Sequence, residues 1–252
     1  MTSKLGYCKV SISPVRSENK DQAEMVTQLL FGEIIHIEEI AGNWTKVTTF
    51  SDNYPGWIDT KHFHFLSEKE AKRWMDGLSY EPSLFRKLNT PWGEQRIFKG
   101  SYIQYDESLK FNIGEDQFEF IDVSEGNHKN TIVELALEYL NTPYLWGGKT
   151  PFGIDCSGLT QMVFRFIGKN LPRDASQQVE HGMEVSFEEI EAGDLAFFHS
   201  KDRKIIHVGI LDGQGSIIHA SGCVRIDSIS SEGIIHSESG SLTHTLNSIR
   251  RI

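Results

Sequence analysis

The sequence is poor in cysteine and proline, and it has no long hydrophobic run. Its 252 residues include three cysteines, Cys8, Cys156 and Cys223, an odd and sparse set that favours a reducing compartment over a disulfide scaffold. No segment approaches about eighteen consecutive apolar residues, and no apolar leader core follows Met1, which argues against a membrane span and a signal peptide. As it stands, the chain is expected to be cytoplasmic, or periplasmic or secreted if a leader was removed.

The sequence also lacks clusters of positive charge. Lysine and arginine number 25 against 35 aspartates and glutamates, so the formal net charge is −10 at pH 7. Nucleic acids and anionic membranes favour clustered basic residues, and neither is expected as a partner. The length exceeds that of one average domain, and a hydrophobic content of 38% is enough for real cores, which favours a soluble multidomain protein.

One cysteine lies in a sequence context typical of a nucleophile. Cys156 follows Asp155 and precedes an apolar stripe at helical spacing, made of Leu159, Met162, Val163, Phe166 and Ile167. This pattern predicts a helix that begins near Cys156, whose unpaired backbone amides favour a thiolate. A lone cysteine is more often a small buried hydrophobe. Because the stripe starts three residues later, we expect Cys156 to lie off the buried face.

Two histidines could serve this thiol. His207 and His219 lie on the predicted strands 207–211 and 216–220, which a glycine-rich turn joins into a hairpin. An odd loop centred on Gly213 places the two histidines directly opposite each other on one face, whereas a two-residue turn places them on opposite faces. Catalysis requires the odd loop, with His207 taking the thiol proton and His219 fixing the tautomer of His207.

Five segments of the second half together resemble the NlpC-type papain-like cysteine peptidases of bacteria, over roughly residues 127–252. They are 142–148 (TPYLWGG), 155–158 (DCSG), 193–198 (GDLAFF), 207–210 (HVGI) and 219–220 (HA). The resemblance implies hydrolysis of the peptide stems of murein, at the bond between γ-linked D-glutamate and a diamino acid. It implies these roles, with no cofactor and no metal: Cys156 as nucleophile, His207 as base, His219 as orienting residue and Tyr144 beside the developing oxyanion.

The first half of the chain predicts smaller β-rich domains. Short β-type runs separated by turns fill its first part, and the segments 42–44 (GNW) and 54–58 (YPGWI) resemble a bacterial SH3-like barrel. Ser67 and Glu70 then form a capping box at the start of a short amphipathic helix. A second strand-rich stretch follows and is expected to be another SH3-like barrel.

The expected fold class is α+β, with a papain-like domain of helices packed on an antiparallel sheet, preceded by one or two small SH3-like β-barrels. The expected divisions are 1–66 for the first barrel, 67–79 for the linking helix, 80–125 for the second barrel and 126–252 for the peptidase domain. No low-complexity linker separates them, so we expect the domains to pack together.

SH3-like domains ahead of the catalytic one are typical of a subgroup, the dipeptidyl-peptidase VI or γ-D-glutamyl-L-diamino acid endopeptidases. This subgroup acts on free murein peptides with an unblocked L-alanine and releases L-Ala-γ-D-Glu. The resemblance implies that the substrate amine is bound by Glu24, Tyr54, Asp155 and Ser157, with Trp146 and Ser176 as further substrate contacts. A blocked amine would leave buried carboxylates unpaired, so a glycan-linked stem should be rejected.

Other functions remain open at this point. The main alternative is an exported murein hydrolase that acts on intact peptidoglycan and uses the SH3-like domains as wall-binding modules. A non-catalytic binding protein is a second alternative. A third is a zinc site formed by Cys156, His199, His207 and His219, although the short spacings typical of metal-binding cysteines are missing. The expected partners are murein-derived peptides, and the oligomeric state expected is a monomer.

Overall fold

The computed structural model describes residues 4–104, 109–122 and 131–252. The chain divides into two compact units, Met1–His128 and Lys129–Ile252. The strands of the first unit are β1 Lys4–Cys8, β2 Ile12–Arg16, β3 Met25–Leu30, β4 Ile34–Ala41, β5 Trp44–Thr49, β6 Pro55–Asp59, β7 Phe63–Leu66, β8 Ser79–Tyr80, β9 Phe85–Thr90, β10 Gly93–Phe98, β11 Tyr102–Ile103, β12 Lys110–Ile113 and β13 Asp116–Phe120. This unit also contains the 3-10 turn Thr60–His62 and helix α1, Glu68–Met75.

The first seven strands form one antiparallel sheet in the order β3-β2-β6-β5-β4-β1-β7. Buried and partly exposed residues alternate along β5, as they must when one face covers a core. That core contains Val15, Leu29, Ile35, Val47 and Ile58. The sheet confirms the predicted SH3-like architecture of this part of the chain.

Helix α1 begins where its capping box predicts. The Ser67 side chain accepts from the amide of Glu70, and the Glu70 carboxylate accepts from the amide of Ser67. The ring of Trp74 on α1 stacks on Phe111 of β12, so the helix packs against the second group of strands.

That second group contains a four-stranded sheet, β10-β9-β13-β12, and the pair β11-β8. Its core includes Tyr7 of β1 and Phe31, which directly follows β3, so the two groups of strands share one core. The second SH3-like barrel stays a prediction. The boundary predicted between 125 and 126 lies outside the described residues.

The second unit contains the helices α2 Ile132–Leu137, α3 Cys156–Phe166 and α4 Ala175–Gln178, and the 3-10 turn Phe187–Glu189. Its strands are β14 Lys149–Thr150, β15 Gly153–Ile154, β16 Met183–Val185, β17 Leu195–His199, β18 Ile205–Leu211, β19 Ser216–Ser221, β20 Cys223–Ser230, β21 Gly233–Ile235 and β22 Leu242–Arg251. Within the three described ranges, none of the helices combines the length and apolar character that spanning a membrane requires.

The sheet of the second unit runs β16-β22-β17-β18-β19-β20-β21 and is antiparallel throughout. Strand β21 also pairs with β22, so six of its strands close into a barrel. Helix α3 packs against β18 and β19 of this barrel. Helices on an antiparallel sheet are the architecture that the sequence predicts, and the α+β fold class is confirmed.

Candidate active site

Cys156 occupies the first turn of α3, as predicted. The Asp155 side chain caps this helix by accepting from the amide of Gly158 at 2.7 Å. A Cβ atom at position 158 would lie 2.3 Å from the carbonyl oxygen of Gly148, so only glycine lets the loop 147–148 approach the helix this closely. The helix start and this loop therefore hold each other in place.

The prediction that Cys156 lies off the buried face is wrong. The residue is only 7% exposed, and every residue of α3 from Cys156 to Arg165 is buried. The cause is tertiary packing, since α3 is contacted by α2 and α4 as well as by the sheet. A stripe of apolar residues indicates which face is buried most, but it does not show whether other elements cover the opposite face.

Burial also decides the charge of the thiol. Burial raises the pKa of Cys156 to about 11, and the charge of Asp155 adds to the increase. Hydrogen bonds from the backbone amides of Val208 and Ser157 favour the thiolate, but they do not offset the loss of solvation. The amides of the helix start favour the thiolate as expected, but burial outweighs them and holds the pKa of the Cys156 thiol above its usual value.

We expect the alkylation rate of Cys156 by iodoacetamide to rise about tenfold per pH unit between neutral pH and the thiol pKa of about 11. Only the thiolate reacts, and a raised pKa means that the thiol stays protonated until the pH approaches that value. Mass spectrometry of digested protein would follow Cys156 separately from Cys8 and Cys223. A rate that is already constant at neutral pH would contradict the neutral thiol.

The hairpin of β18 and β19 has the odd loop that catalysis requires. Leu211 pairs with Ile217, so the loop 212–216 contains five residues. Its centre is Gln214 and not Gly213 as predicted, because the register pairs Leu211 with Ile217. His207 and His219 therefore share one face, as predicted.

The two histidines are offset diagonally along that face, and the prediction that they lie directly opposite is wrong. The register places Gly209 opposite His219. A Cβ at position 209 would come within 2.9 Å of the His219 Cβ, so the glycine leaves the space that His219 occupies. His207 Nε2 lies 2.8 Å from His219 Nδ1, with both rings buried.

A carboxylate that sequence reasoning missed continues this chain of contacts. His219 Nε2 lies 3.0 Å from Asp227 Oδ2, and Arg225 forms an ion pair with the same oxygen. Burial opposes ionisation of Asp227, but hydrogen bonds from Ser237, Arg225 and His219 outweigh it and hold the pKa of the carboxyl far below its usual range. The sequence did contain a signal for this contact. Strands β19 and β20 pair across the tight turn 221–223, and the alternation of side chains along them places His219 and Asp227 on one face.

The histidines of this cluster are neutral near pH 7. Burial lowers the pKa of His207 well below its usual value, and the neighbouring His219 and His244 lower it further. His244 of β22, another residue that the sequence did not single out, stacks on His207 with ring centroids 4.3 Å apart. Burial likewise lowers the pKa of His219, although Asp227 partly opposes that shift.

Arg173 organises the residues on either side of the thiol. It is buried, and it donates to both oxygens of Asp155 at 3.0 and 2.6 Å and to Ser157 Oγ at 3.0 Å. The amide of Gly147 also donates to Asp155, at 2.8 Å. A substrate ammonium would have to share the Asp155 carboxylate with Arg173, and the roles of Asp155 and Ser157 in amine binding stay predictions.

The aromatic residues of the same loop differ in exposure. Tyr144 is half-buried, and its amide donates to the carbonyl of Gly222. Burial raises the pKa of Tyr144 above its usual value, and negative charge on Cys156 and Asp155 adds to the increase, so its hydroxyl stays protonated. Trp146 is 60% exposed, and Ser176 is exposed on α4.

Two predicted site residues lie in the first unit. Glu24 is exposed and directly precedes β3, while Tyr54 is half-buried and directly precedes β6. Their roles in substrate binding stay predictions. Among the residues that the structure describes, His, Cys, Asp and Glu side chains form no group of three or more arranged to hold a metal ion.

Comparisons with known proteins match both halves of the chain. Residues 141–240 match the NlpC/P60 family, and residues 15–63 match the bacterial dipeptidyl-peptidase Sh3 domain. The γ-D-glutamyl-L-lysine dipeptidyl-peptidase of Bacillus subtilis (strain 168) is 31% identical over 77% of this chain and 71% of its own length. Dipeptidyl-peptidase 6 of Lysinibacillus sphaericus is 30% identical over 79% and 81%. The crystal structure of an NlpC/P60 family protein from Bacillus cereus ATCC 10987, 18% identical, superposes with a TM-score of 0.77 over 98% of this chain and 99% of its own.

Proposed function

This chain belongs to the NlpC/P60 family of cysteine peptidases, and we propose that it hydrolyses the γ-D-glutamyl-diamino acid bond of murein peptides with a free N-terminal L-alanine. The products would be L-Ala-γ-D-Glu and the remaining peptide, as expected of an enzyme that recycles cell-wall peptides. The reaction type is supported by one observation. Cys156 is buried at the start of α3, which packs against β18, and on β18 and β19 His207 Nε2 lies 2.8 Å from His219 Nδ1.

The geometry supports a base-assisted attack by a neutral thiol. His207 takes the proton of Cys156 as the sulfur attacks the γ-carbonyl carbon of D-glutamate. The protonated Tyr144 hydroxyl donates to the oxyanion that develops on the carbonyl oxygen. His207 then gives its proton to the leaving amine of the diamino acid, which leaves a thioester on Cys156. Water attacks the thioester with His207 as base, and the thiol and the free carboxylate are restored.

The substrate class is supported by the relatives. Two of them are named as dipeptidyl-peptidases, and one name specifies the γ-D-glutamyl-L-lysine bond. Glu24 and Tyr54 both lie within residues 15–63, the segment that matches a dipeptidyl-peptidase Sh3 domain, which supports a role for them in recognising the substrate. Release of a dipeptide requires that the enzyme binds the free N-terminal amine, which lies two residues before the cleaved bond. A blocked amine carries no positive charge to pair with the carboxylates proposed to bind it, and this loss of pairing provides the selectivity.

We expect L-Ala-γ-D-Glu-L-Lys with a free N-terminus to be cleaved roughly 100-fold faster than the same peptide acetylated at that amine. Acetylation removes the positive charge that the carboxylates of Glu24 and Asp155 are proposed to bind. Mass spectrometry of the products gives kcat/KM for both peptides. The matched control carries its acetyl group on the lysine side chain, and it has the same mass and remains a substrate.

Equal rates for the free and N-acetylated peptides would reject recognition of the amine. They would favour the alternative of a hydrolase that acts on intact peptidoglycan, where the corresponding L-alanine is joined to the glycan. Release of soluble peptides from purified cell walls would then measure that activity.

A further inference from the structure

The Asp227 carboxylate is surrounded by hydrogen-bond donors on both of its oxygens. Oδ1 accepts from the Ser237 amide at 2.8 Å and from Arg225 at 3.0 Å. Oδ2 lies 2.8 Å from Arg225 Nε and 3.0 Å from His219 Nε2. Asp227 is only 2% exposed. An ionised carboxylate can only accept hydrogen bonds, so the nitrogen of His219 that faces it must carry the proton.

This proton determines the state of both rings. A neutral imidazole has one N–H and one lone pair, so His219 with a proton on Nε2 presents a lone pair on Nδ1. That lone pair faces His207 Nε2 at 2.8 Å, and His207 must therefore donate from Nε2. The remaining nitrogen of His207, Nδ1, then carries the lone pair that a base needs to accept a thiol proton.

We infer that Asp227 is a positioning residue of the catalytic centre, which sets the tautomers of His219 and His207 and keeps the lone pair of His207 Nδ1 for the Cys156 thiol. This inference rests on the proposed function only for the identity of the reacting thiol and base. Asp227 acts through His219, and Arg225 and the Ser237 amide fix the orientation of its carboxylate. Such outer partners of a catalytic histidine orient its ring and maintain its tautomer.

Several titratable groups surround the two rings, and they are compatible with this assignment. His244 of β22 stacks on His207 and lies 6.0 Å, centroid to centroid, from His219. Arg225 of β20 pairs with Asp227, and Cys156 lies on α3, which packs against the strand β18 that carries His207. Of these groups, Asp227 is the one that faces a ring nitrogen of His219 with an acceptor that is permanently ionised near pH 7.

An asparagine at position 227 would have the shape of the aspartate but one donor in place of an acceptor. At the Oδ1 position its amide nitrogen would face two fixed donors, Arg225 and the Ser237 amide. At the Oδ2 position it would face His219, whose ring can change tautomer, and Arg225 Nε, which lies 2.8 Å away without hydrogen-bond geometry. The amide nitrogen is therefore expected to face His219. Both rings would then carry their protons on Nδ1, and His207 would present an N–H to the thiol.

We expect Asp227→Asn to lower kcat/KM for L-Ala-γ-D-Glu-L-Lys about 10- to 100-fold. Two-dimensional 1H–15N spectra of the histidine rings in the whole protein would show Nε2–H on His207 and His219 in the wild type and Nδ1–H on both in the variant. The matched control is Asp194→Asn in the same unit. Asp194 is also 2% exposed and pairs with Arg251 at 2.8 Å through both oxygens. This control loses a similar ion pair, and it should keep both tautomers and the wild-type rate.

A change in the rate without a change in the tautomers would overturn the inference, and so would altered tautomers with an unchanged rate. Equal losses of activity in Asp227→Asn and Asp194→Asn would also overturn it, because the effect would then follow from stability alone. The proposed function fails separately, if the wild type does not cleave the murein peptide. In that case the ring tautomers of the wild type and of Asp227→Asn still decide the role of Asp227.

Discussion

Replacement of Cys156 by alanine is expected to lower peptide hydrolysis by at least about 10⁴-fold and to leave the fold intact. The sulfur forms the bond to the carbonyl carbon, and no neighbouring side chain can take its place. The substitution removes a single buried heavy atom at the first turn of α3, where Asp155 still caps the helix. The cost in the free energy of unfolding should be about 1 kcal/mol or less. Product formation by mass spectrometry and thermal unfolding followed by circular dichroism measure the two effects.

Cys223→Ala is the matched control for this variant. Cys223 is a second unpaired cysteine of the same unit, partly buried at the start of β20, and no step of the proposed reaction uses its sulfur. Cys223→Ala should therefore cleave the peptide at the wild-type rate. Hydrolysis by Cys156→Ala at the wild-type rate would exclude the thiol as nucleophile and with it the proposed mechanism.

Replacement of His207 by alanine is expected to lower kcat/KM by about 10³-fold or more at neutral pH. The thiol pKa of about 11 explains the size of this effect. Without a base, only about one molecule in 10⁴ carries a thiolate at pH 7. The residual rate of His207→Ala should therefore rise with pH, since hydroxide ions replace the base by ionising the thiol. Rates measured between neutral and alkaline pH would show this partial recovery.

His199→Ala is the control for the loss of a histidine. His199 of β17 is partly buried and contacts the backbone carbonyl of Ser200, and it has no place in the proposed reaction. It is, however, one of the four residues of the alternative zinc site. Wild-type activity in His199→Ala supports His207 as the base. Loss of activity in both variants, together with loss of bound metal, would support the zinc site instead.

The predictions that succeeded depend on residues close together in the chain. A capping box needs two side chains three positions apart, and the one at Ser67 was found from sequence because its hydrogen bonds are local. The start of α3 at Cys156 follows from Asp155 and the helical spacing that comes after it. The shared face of His207 and His219 follows from the period of two in a strand and an odd loop.

The predictions that failed concern contacts between segments that lie far apart in the chain. The exposure of Cys156 depends on α2 and α4, which contact α3 in addition to the sheet. The diagonal offset of the histidines depends on which residue is the centre of the loop, and a shift by one position changes the register by two. Arg173 and Asp227 lie 17 and 71 positions beyond Cys156, and no local pattern connects them to it.

Local sequence was sufficient for the helix start at Cys156 and for the shared strand face of His207 and His219. These features depend on backbone hydrogen bonds and side-chain periodicity within a few residues. Tertiary packing alone decided that the thiol is buried with a raised pKa, that Arg173 donates to Asp155, and that Asp227 lies against His219. Desolvation and long-range hydrogen bonds control these properties, and both exist only once distant segments are packed together.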